Sequence, residues 1–215
     1  MTIEVGCIVL AGGASTRMGR PKAWLDAGGR PLLEHVVRRL VHPEHRILIV
    51  GSGGQELPDV EPLASRIDDA AELVHAGPLS GIGSGLAWLR AKEIGLAYLT
   101  SCDAAWTNAS YVSFLRARLA AAPERDGVAP VERAPWGLRW QPLAALLKVE
   151  PAAQVAEQLL RAGERRAQEL CQRLDCLPLD PSALPDRRVL TSCNTPAEWE
   201  ALRHELFPTF REPKT

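Results

Sequence analysis

Hydrophobic positions along this chain alternate between two patterns. Short apolar runs occupy residues 5–10, 46–50 and 96–100. Between and after them lie longer segments, residues 31–40, 82–92 and 110–121, whose apolar residues recur at i, i+3 and i+4. The short β-branched runs predict strands and the longer spacing predicts amphipathic helices. Pro31 suits the first turn of its helix, where its missing N–H costs nothing. A strand that is apolar on both faces must be covered on both faces. The strand–helix–strand order therefore predicts an α/β fold, a mostly parallel sheet between two helical layers.

The second half is less regular. Residues 127–131 and 142–147 read as strands around a Trp- and Arg-rich connection from Arg133 to Trp140. Residues 151–161 and 165–174 read as helices, and Thr195 and Pro196 fit the N-cap and first position of a last one. There is no internal repeat, low-complexity tract or long linker, which predicts a single domain over residues 1–207 with a frayed tail at 208–215.

In an open parallel sheet, ligands gather at the carboxyl ends of the strands. Three loops should meet there: residues 10–22, 51–54, and the one after Leu99. The first reads Leu10-Ala11-Gly12-Gly13-Ala14-Ser15-Thr16-Arg17-Met18-Gly19-Arg20-Pro21-Lys22. Glycines let backbone N–H groups approach a phosphate closely, and Arg17 and Lys22 offer to neutralise it. The loop is not a Walker motif, since Lys22 lies between Pro21 and Ala23, and it contains no G-x-G-x-x-G. The competing reading is an ordinary strand-to-helix turn carrying surface cations, and the pairing of glycines with two cations favours phosphate. The third loop carries Asp103, placed either to hold Mg²⁺ on phosphate oxygens or to serve as a turn or helix-cap aspartate.

Charge and cysteine usage narrow the partners. A formal net charge of −1 provides no general field for nucleic acid or a membrane surface, so phosphate recognition has to be local. No apolar run approaches the roughly 18 residues that span a bilayer. Residues 1–5 lack the basic region and cleavage site of a signal peptide. The five cysteines, Cys7, Cys102, Cys171, Cys176 and Cys193, form no C-x-x-C pair, and the five histidines show no zinc-protease spacing. Buried free thiols in a reducing cytoplasm are expected.

The whole set of motifs resembles the molybdenum cofactor guanylyltransferase family. The resemblance rests on Leu10-Ala11-Gly12-Gly13-x-Ser15-x-Arg17-Met18-Gly19-x-Pro21-Lys22, then Gly29-x-Pro31-Leu32-Leu33. Further blocks follow in order: Asp69 before Gly77-Pro78-Leu79-Ser80-Gly81-Ile82, then Cys102-Asp103, Leu160 to Arg166, and Asn194-Thr195-Pro196-x-Glu198. It implies a three-layer Rossmann-like nucleotidyltransferase fold of the nucleotide-diphospho-sugar transferase type. It also implies GTP with Mg²⁺ as donor and molybdopterin as acceptor. By position, Leu10, Ala11, Gly12 and Gly13 would line the nucleotide, and Arg17 and Lys22 would meet its phosphates. Asp69 would contact the nucleoside, with Asp68 offering the same chemistry next door, and Asp103 would ligate Mg²⁺. Gly77 would face the nucleotide, or simply form the turn that opens a helix. Ser52 stands where the family commonly has a guanosine-contacting asparagine, and Ser192 replaces the first asparagine of N-x-N-T-P.

Acceptor recognition has three candidate groups. Trp136, Arg139, Trp140 and Gln141 could stack on and bond a pterin, or the tryptophans could pack in the core. Arg161, Arg165 and Arg166 could take an acceptor phosphate, or complement a helix dipole. Transient contact with other cofactor-biosynthesis or molybdoenzyme proteins, and a monomer or weak oligomer, are also expected. Two other readings fit the same residues: a cytidylyl- or sugar-phosphate transferase of this fold, and a catalytically weak homologue that binds nucleotide.

Overall fold

The computed structural model describes residues 4–13, 17–69, 77–135 and 137–208. In chain order its elements are β1 (Val5–Leu10), α1 (Leu32–Leu40), β2 (His45–Gly51), β3 (Ser65–Asp68), α2 (Pro78–Ala91), β4 (Leu96–Ser101) and α3 (Ala109–Ala120). Then come β5 (Gly127–Ala134), β6 (Gly137–Trp140), β7 (Leu146–Lys148), α4 (Val149–Arg161), α5 (Gln168–Arg173), β8 (Cys176–Leu179) and α6 (Pro196–Leu206).

The strands form one sheet in the order β3-β2-β1-β4-β7-β5-β6, with β8 pairing β5 beside this path. Its centre is parallel: β1 lies between β2 and β4, with Cys7 opposite both Ile47 and Tyr98, and β3 adds parallel to β2. Beyond β4, strand β7 runs antiparallel. The fold is thus the mixed α/β architecture expected, mostly parallel where it matters for the site.

Alternation along the central strands divides the core in two. Val5, Cys7, Val9, Ile47, Ile49 and Tyr98 pack against α1, α3 and α6, through Val36, Leu115 and Trp199 among others. Ile8, Leu48, Val50, Ala97 and Leu99 pack against α2, α4 and α5. Both faces of each run are buried, which is why the sequence shows unbroken apolar stretches rather than alternation.

Three departures from the sequence reading have physical causes. Helix α2 begins at Pro78 rather than at residue 82, although its first eight residues contain Gly81, Gly83 and Gly85. Glycine costs a helix about 1 kcal/mol relative to alanine, but here it permits close packing: a Cβ on Gly85 would lie 2.7 Å from Cδ1 of Ile8. The strand expected over 142–147 splits into a tight turn at Pro142–Ala144 and a short strand from Leu146. The helix expected over 165–174 contracts to Gln168–Arg173, because the Glu164 carboxylate accepts the N–H groups of Arg165 and Arg166 in a turn ahead of it. Strands β3, β6 and β8 were not legible, being edge or partial strands with polar residues or, in β8, Pro178. The tail expected at 208–215 lies outside the described residues beyond Pro208.

Candidate active site

A cleft of about 1120 Å³ opens at the carboxyl ends of β1, β2, β3 and β4. That is at the top of the usual range for small-molecule sites. The three loops converge on it, and Leu10, Ala11, Gly12, Gly13, Arg17, Lys22, Ser52, Asp69, Gly77 and Asp103 all line it. Residues Ala14, Ser15 and Thr16 of the first loop lie outside the described residues.

The strands set this convergence directly. Where β1 ends, Leu10 accepts a hydrogen bond from Cys102 N (2.9 Å), and Ala11 N donates to Val50 O (2.9 Å). The backbone ladder therefore holds the first loop between the other two. Pro21 then starts a single 3-10 turn, Lys22–Trp24, that aims Lys22 back across the cleft. Its Nζ donates to Asp103 Oδ2 at 2.6 Å and to Asn194 Oδ1 at 2.9 Å. Asp103 is 7% exposed, and its other oxygen accepts from Ser101 Oγ at 2.5 Å. A carboxylate this buried needs such partners. Among the described residues Arg17 makes no ion pair, and it is exposed at the cleft.

At the other end, Asp69 rather than Asp68 faces the cleft. Asp69 N donates to Gly51 O (2.8 Å), and its Oδ1 accepts from Ser80 Oγ and Ser84 Oγ, both at 2.8 Å. Asp68 instead pairs with Arg66 across 3.1 Å. Gly77 has φ +83°, and a Cβ there would sit 2.7 Å from the carbonyl oxygen of Arg165. Its structural necessity is therefore plain, and it also lines the cleft.

The acceptor candidates separate. Gln141, Arg165 and Arg166 line the cleft, together with Gln168 and Ser192. Arg166 pairs with Glu164 and Glu169, and the accepted N–H groups and guanidinium hold the exposed Glu164 carboxyl down to about 2. Arg161 pairs with Glu157 at 2.6 Å on the outside of α4, and Trp140 packs against the core on the α2 side. Arg139 lies 3.9 Å from Glu132. The aromatic–cationic cluster thus contributes Gln141 to the cleft, while Trp136 lies outside the described residues.

Sequence reasoning passed over Ser101, Ser80, Ser84 and Gln55, each of which orients a cleft residue. Their signal was weak because they sit one turn or one loop away from the groups they serve. Cys102 is the cysteine among the described residues that lines the cleft, and burial pushes its thiol up strongly, so it is no ready thiolate. No group of three or more His, Cys, Asp or Glu side chains able to hold a metal is found among the described residues.

Glycine-lined backbone, loop cations and one buried carboxylate suit a polyphosphate rather than a hydride or acyl donor. The fold is one that nucleotidyltransferases use. The structure resembles molybdopterin-guanine dinucleotide biosynthesis protein A from Archaeoglobus fulgidus, with a TM-score of 0.70 and 19% identity over 95% of this chain and 100% of that one. It also resembles 2-C-methyl-D-erythritol 4-phosphate cytidylyltransferase from Thermus thermophilus, with a TM-score of 0.67 and 16% identity over 96% of this chain and 99% of that one. Identities this low establish the fold alone.

The profile of the MobA-like NTP transferase domain matches residues 7–177, and the chain belongs to that family. A protein of Mycobacterium tuberculosis named "Probable molybdenum cofactor guanylyltransferase" is 32% identical over 198 residues, covering 91% of this chain and 92% of its own. One of the same name from Mycolicibacterium paratuberculosis is 33% identical over 205 residues, 94% of this chain and 96% of its own. No helix among the described residues is long and apolar enough to cross a membrane.

Proposed function

We propose that this protein transfers GMP from GTP to the terminal phosphate of molybdopterin, releasing pyrophosphate. The observation that carries the reading is the Lys22–Asp103–Asn194 cluster facing the Gly-rich loop across one cleft. The mycobacterial relatives' names support guanine and molybdopterin over the other bases and acceptors that this fold serves.

The attacking acceptor is a phosphate monoester with a second pKa near 6, so it is largely ionised at neutral pH and needs no protein base. The barrier is then mainly repulsion between two polyanions. Positive charge placed where negative charge develops lowers it. Arg17 and Lys22 supply that charge, and backbone N–H groups of the Gly12–Gly13 turn add oriented dipoles. The residues also fit Mg²⁺, which is held in such sites by one or two carboxylates and chiefly by substrate phosphates. Asp103 is the carboxylate that would hold it, and the ion would draw charge off the α-phosphate. Lys22, now bonded to Asp103, is then available to turn to the phosphates. Cys102, which lines the cleft, is buried and its thiol is pushed up by that burial, which favours direct transfer over a covalent thiol intermediate.

Calorimetric titration with GTP, CTP, ATP and UTP, each with and without Mg²⁺, tests the donor. Pyrophosphate release on adding molybdopterin tests the reaction. Strongest binding of GTP, strengthened by Mg²⁺, is the expected result; preference for CTP would move the protein to a cytidylyltransferase activity.

A further inference from the structure

Gln55 does not itself line the cleft, yet it ties together the two loops that form its nucleoside end. Its side-chain Nε2 donates to Ala11 O at 3.0 Å, and its Oε1 accepts from Ser52 N at 3.1 Å. Ala11 follows β1 and Ser52 follows β2, and both are cleft-lining residues. The backbone of Gln55 is pinned as well: its N–H donates to Ser52 O at 3.0 Å, and its carbonyl accepts from Arg66 of β3 at 2.7 Å. One residue thereby fastens the loops after β1 and β2 to each other and to a side chain of β3.

The gap that it sets is narrow. A Cβ on Gly12 would lie 2.8 Å from Ser52 Oγ, so the two loops already touch at a glycine. A small change in their separation would change the width of the groove that receives a base. A carboxamide suits this bridge because it donates and accepts at once, meeting a carbonyl on one loop and an N–H on the other.

We infer that Gln55 is a positioning residue for base selectivity, acting through Ala11 and Ser52. This rests on the reading of the cleft as a nucleotide site.

The test is nucleotide titration of the wild-type protein, Gln55→Met and Gln55→Glu, using GTP, ITP, ATP and CTP. The methionine keeps the bulk and removes both hydrogen bonds. The glutamate keeps an acceptor for Ser52 N–H but turns an oxygen towards the Ala11 carbonyl. Each variant is expected to bind the preferred nucleotide about tenfold more weakly, as the loss of one or two ordinary hydrogen bonds allows. The preferred-to-other ratios, GTP over ITP above all, should shrink, and KM should rise while kcat stays within about twofold because Lys22 and Asp103 are untouched. Should both variants keep the wild-type ratios, the inference is overturned, even with a lowered melting temperature. If the wild-type protein prefers another base, the guanine reading falls, while the Gln55 inference stands or falls on the ratios for that base. Absence of any nucleotide binding by the wild type overturns both.

Discussion

Lys22 and Asp103 are 81 residues apart in the chain and meet at 2.6 Å on the floor of the cleft, with side chains 17% and 10% exposed. Each is held by a second group, Lys22 by Asn194 and Asp103 by Ser101. Removing one partner from a pair this shielded is costly, because either charge left alone would be poorly solvated.

Asp103→Ala should therefore abolish turnover, measured as pyrophosphate release, by a factor of 10² or more, the scale on which removing a transition-state stabiliser acts. It should also lower stability by up to about 3 kcal/mol, since it takes the counter-charge from a shielded Lys22. Asp103→Asn keeps the shape and should melt nearer to wild type while remaining inactive. Near-normal turnover in the asparagine variant would remove Asp103 from the chemistry.

Helix α6 connects a local folding signal to the site. Thr195 Oγ1 accepts from Glu198 N (3.3 Å), while the Glu198 carboxylate accepts from Thr195 N (3.3 Å) and Asn194 N (2.6 Å). The reciprocal cap fixes Asn194, and Asn194 fixes Lys22. Thr195→Ala should cost about 1 kcal/mol in denaturant unfolding. It should also raise the nucleotide KM more than it lowers kcat. A stability loss with unchanged KM would show the cap to be structural alone.

This chain of contacts also shows what sequence could and could not convey. The central strands, the cap at Thr195 and Pro196 and the first loop were legible because each is written locally, in apolar runs or turn residues. The start of α2 was not, since Pro78 and Gly81 look like a turn ahead of the helix and become its first turn, with Gly81 fitting against Leu10 and Val50. Strand β3 is Ser-Arg-Ile-Asp, too polar to signal a strand, because it lies at the sheet edge. In the site, the charged lining residues stood out, whereas Ser80, Ser84 and Gln55 did not. A neutral side chain that orients another leaves no mark until the fold brings the two together.

Gly77 couples the fold to both ends of the cleft. Gly77→Ala would place a methyl group 2.7 Å from Arg165 O in a backbone conformation (φ +83°) that alanine resists. A loss of about 1–3 kcal/mol is expected from thermal or urea unfolding. Because Arg165 must shift, acceptor KM should rise in parallel.

Protonation of two half-buried histidines should limit acid stability. Burial lowers the pKa of His35, whose ring also bonds Ala105 O at 3.1 Å, with Arg39 and Arg30 opposing its charge. Burial also lowers that of His45, with His42 and Arg116 opposing and Glu44 favouring charge. The folded protein then binds fewer protons than the unfolded chain, so stability rises with pH across this window. On acidification, stability should begin to fall near the ordinary histidine value of 6.5 and continue falling through the lower folded values. The Glu164 carboxyl, held down to about 2, adds its loss only below the ordinary value of 4.5. Melting temperatures from pH 7.5 to 5 check this, and His35→Gln with His45→Gln should flatten the curve. A pH-independent melting temperature in the wild type would contradict the assignment.

Two exposed guanidinium groups line the cleft, and on the proposed reading Arg17 serves the nucleotide and Arg165 the acceptor. Arg17 belongs to the Gly-rich loop and Arg165 to the turn before α5. Neither makes an ion pair among the described residues, whereas Arg166 is already engaged by Glu164 and Glu169. An exposed guanidinium without a carboxylate partner is available to a phosphate, to which it offers a bidentate fork. Charge-assisted hydrogen bonds of this kind contribute about 1.5–3 kcal/mol each, roughly ten- to hundredfold in affinity. Arg17→Ala should weaken nucleotide binding by that factor and leave acceptor KM near wild type. Arg165→Ala should do the reverse, raising acceptor KM while GTP titrates as in wild type, and both effects should shrink in high salt. Equal losses for both substrates in both variants would mean that the two arginines act on the cleft as a whole, and the division between a donor end and an acceptor end would have to be given up.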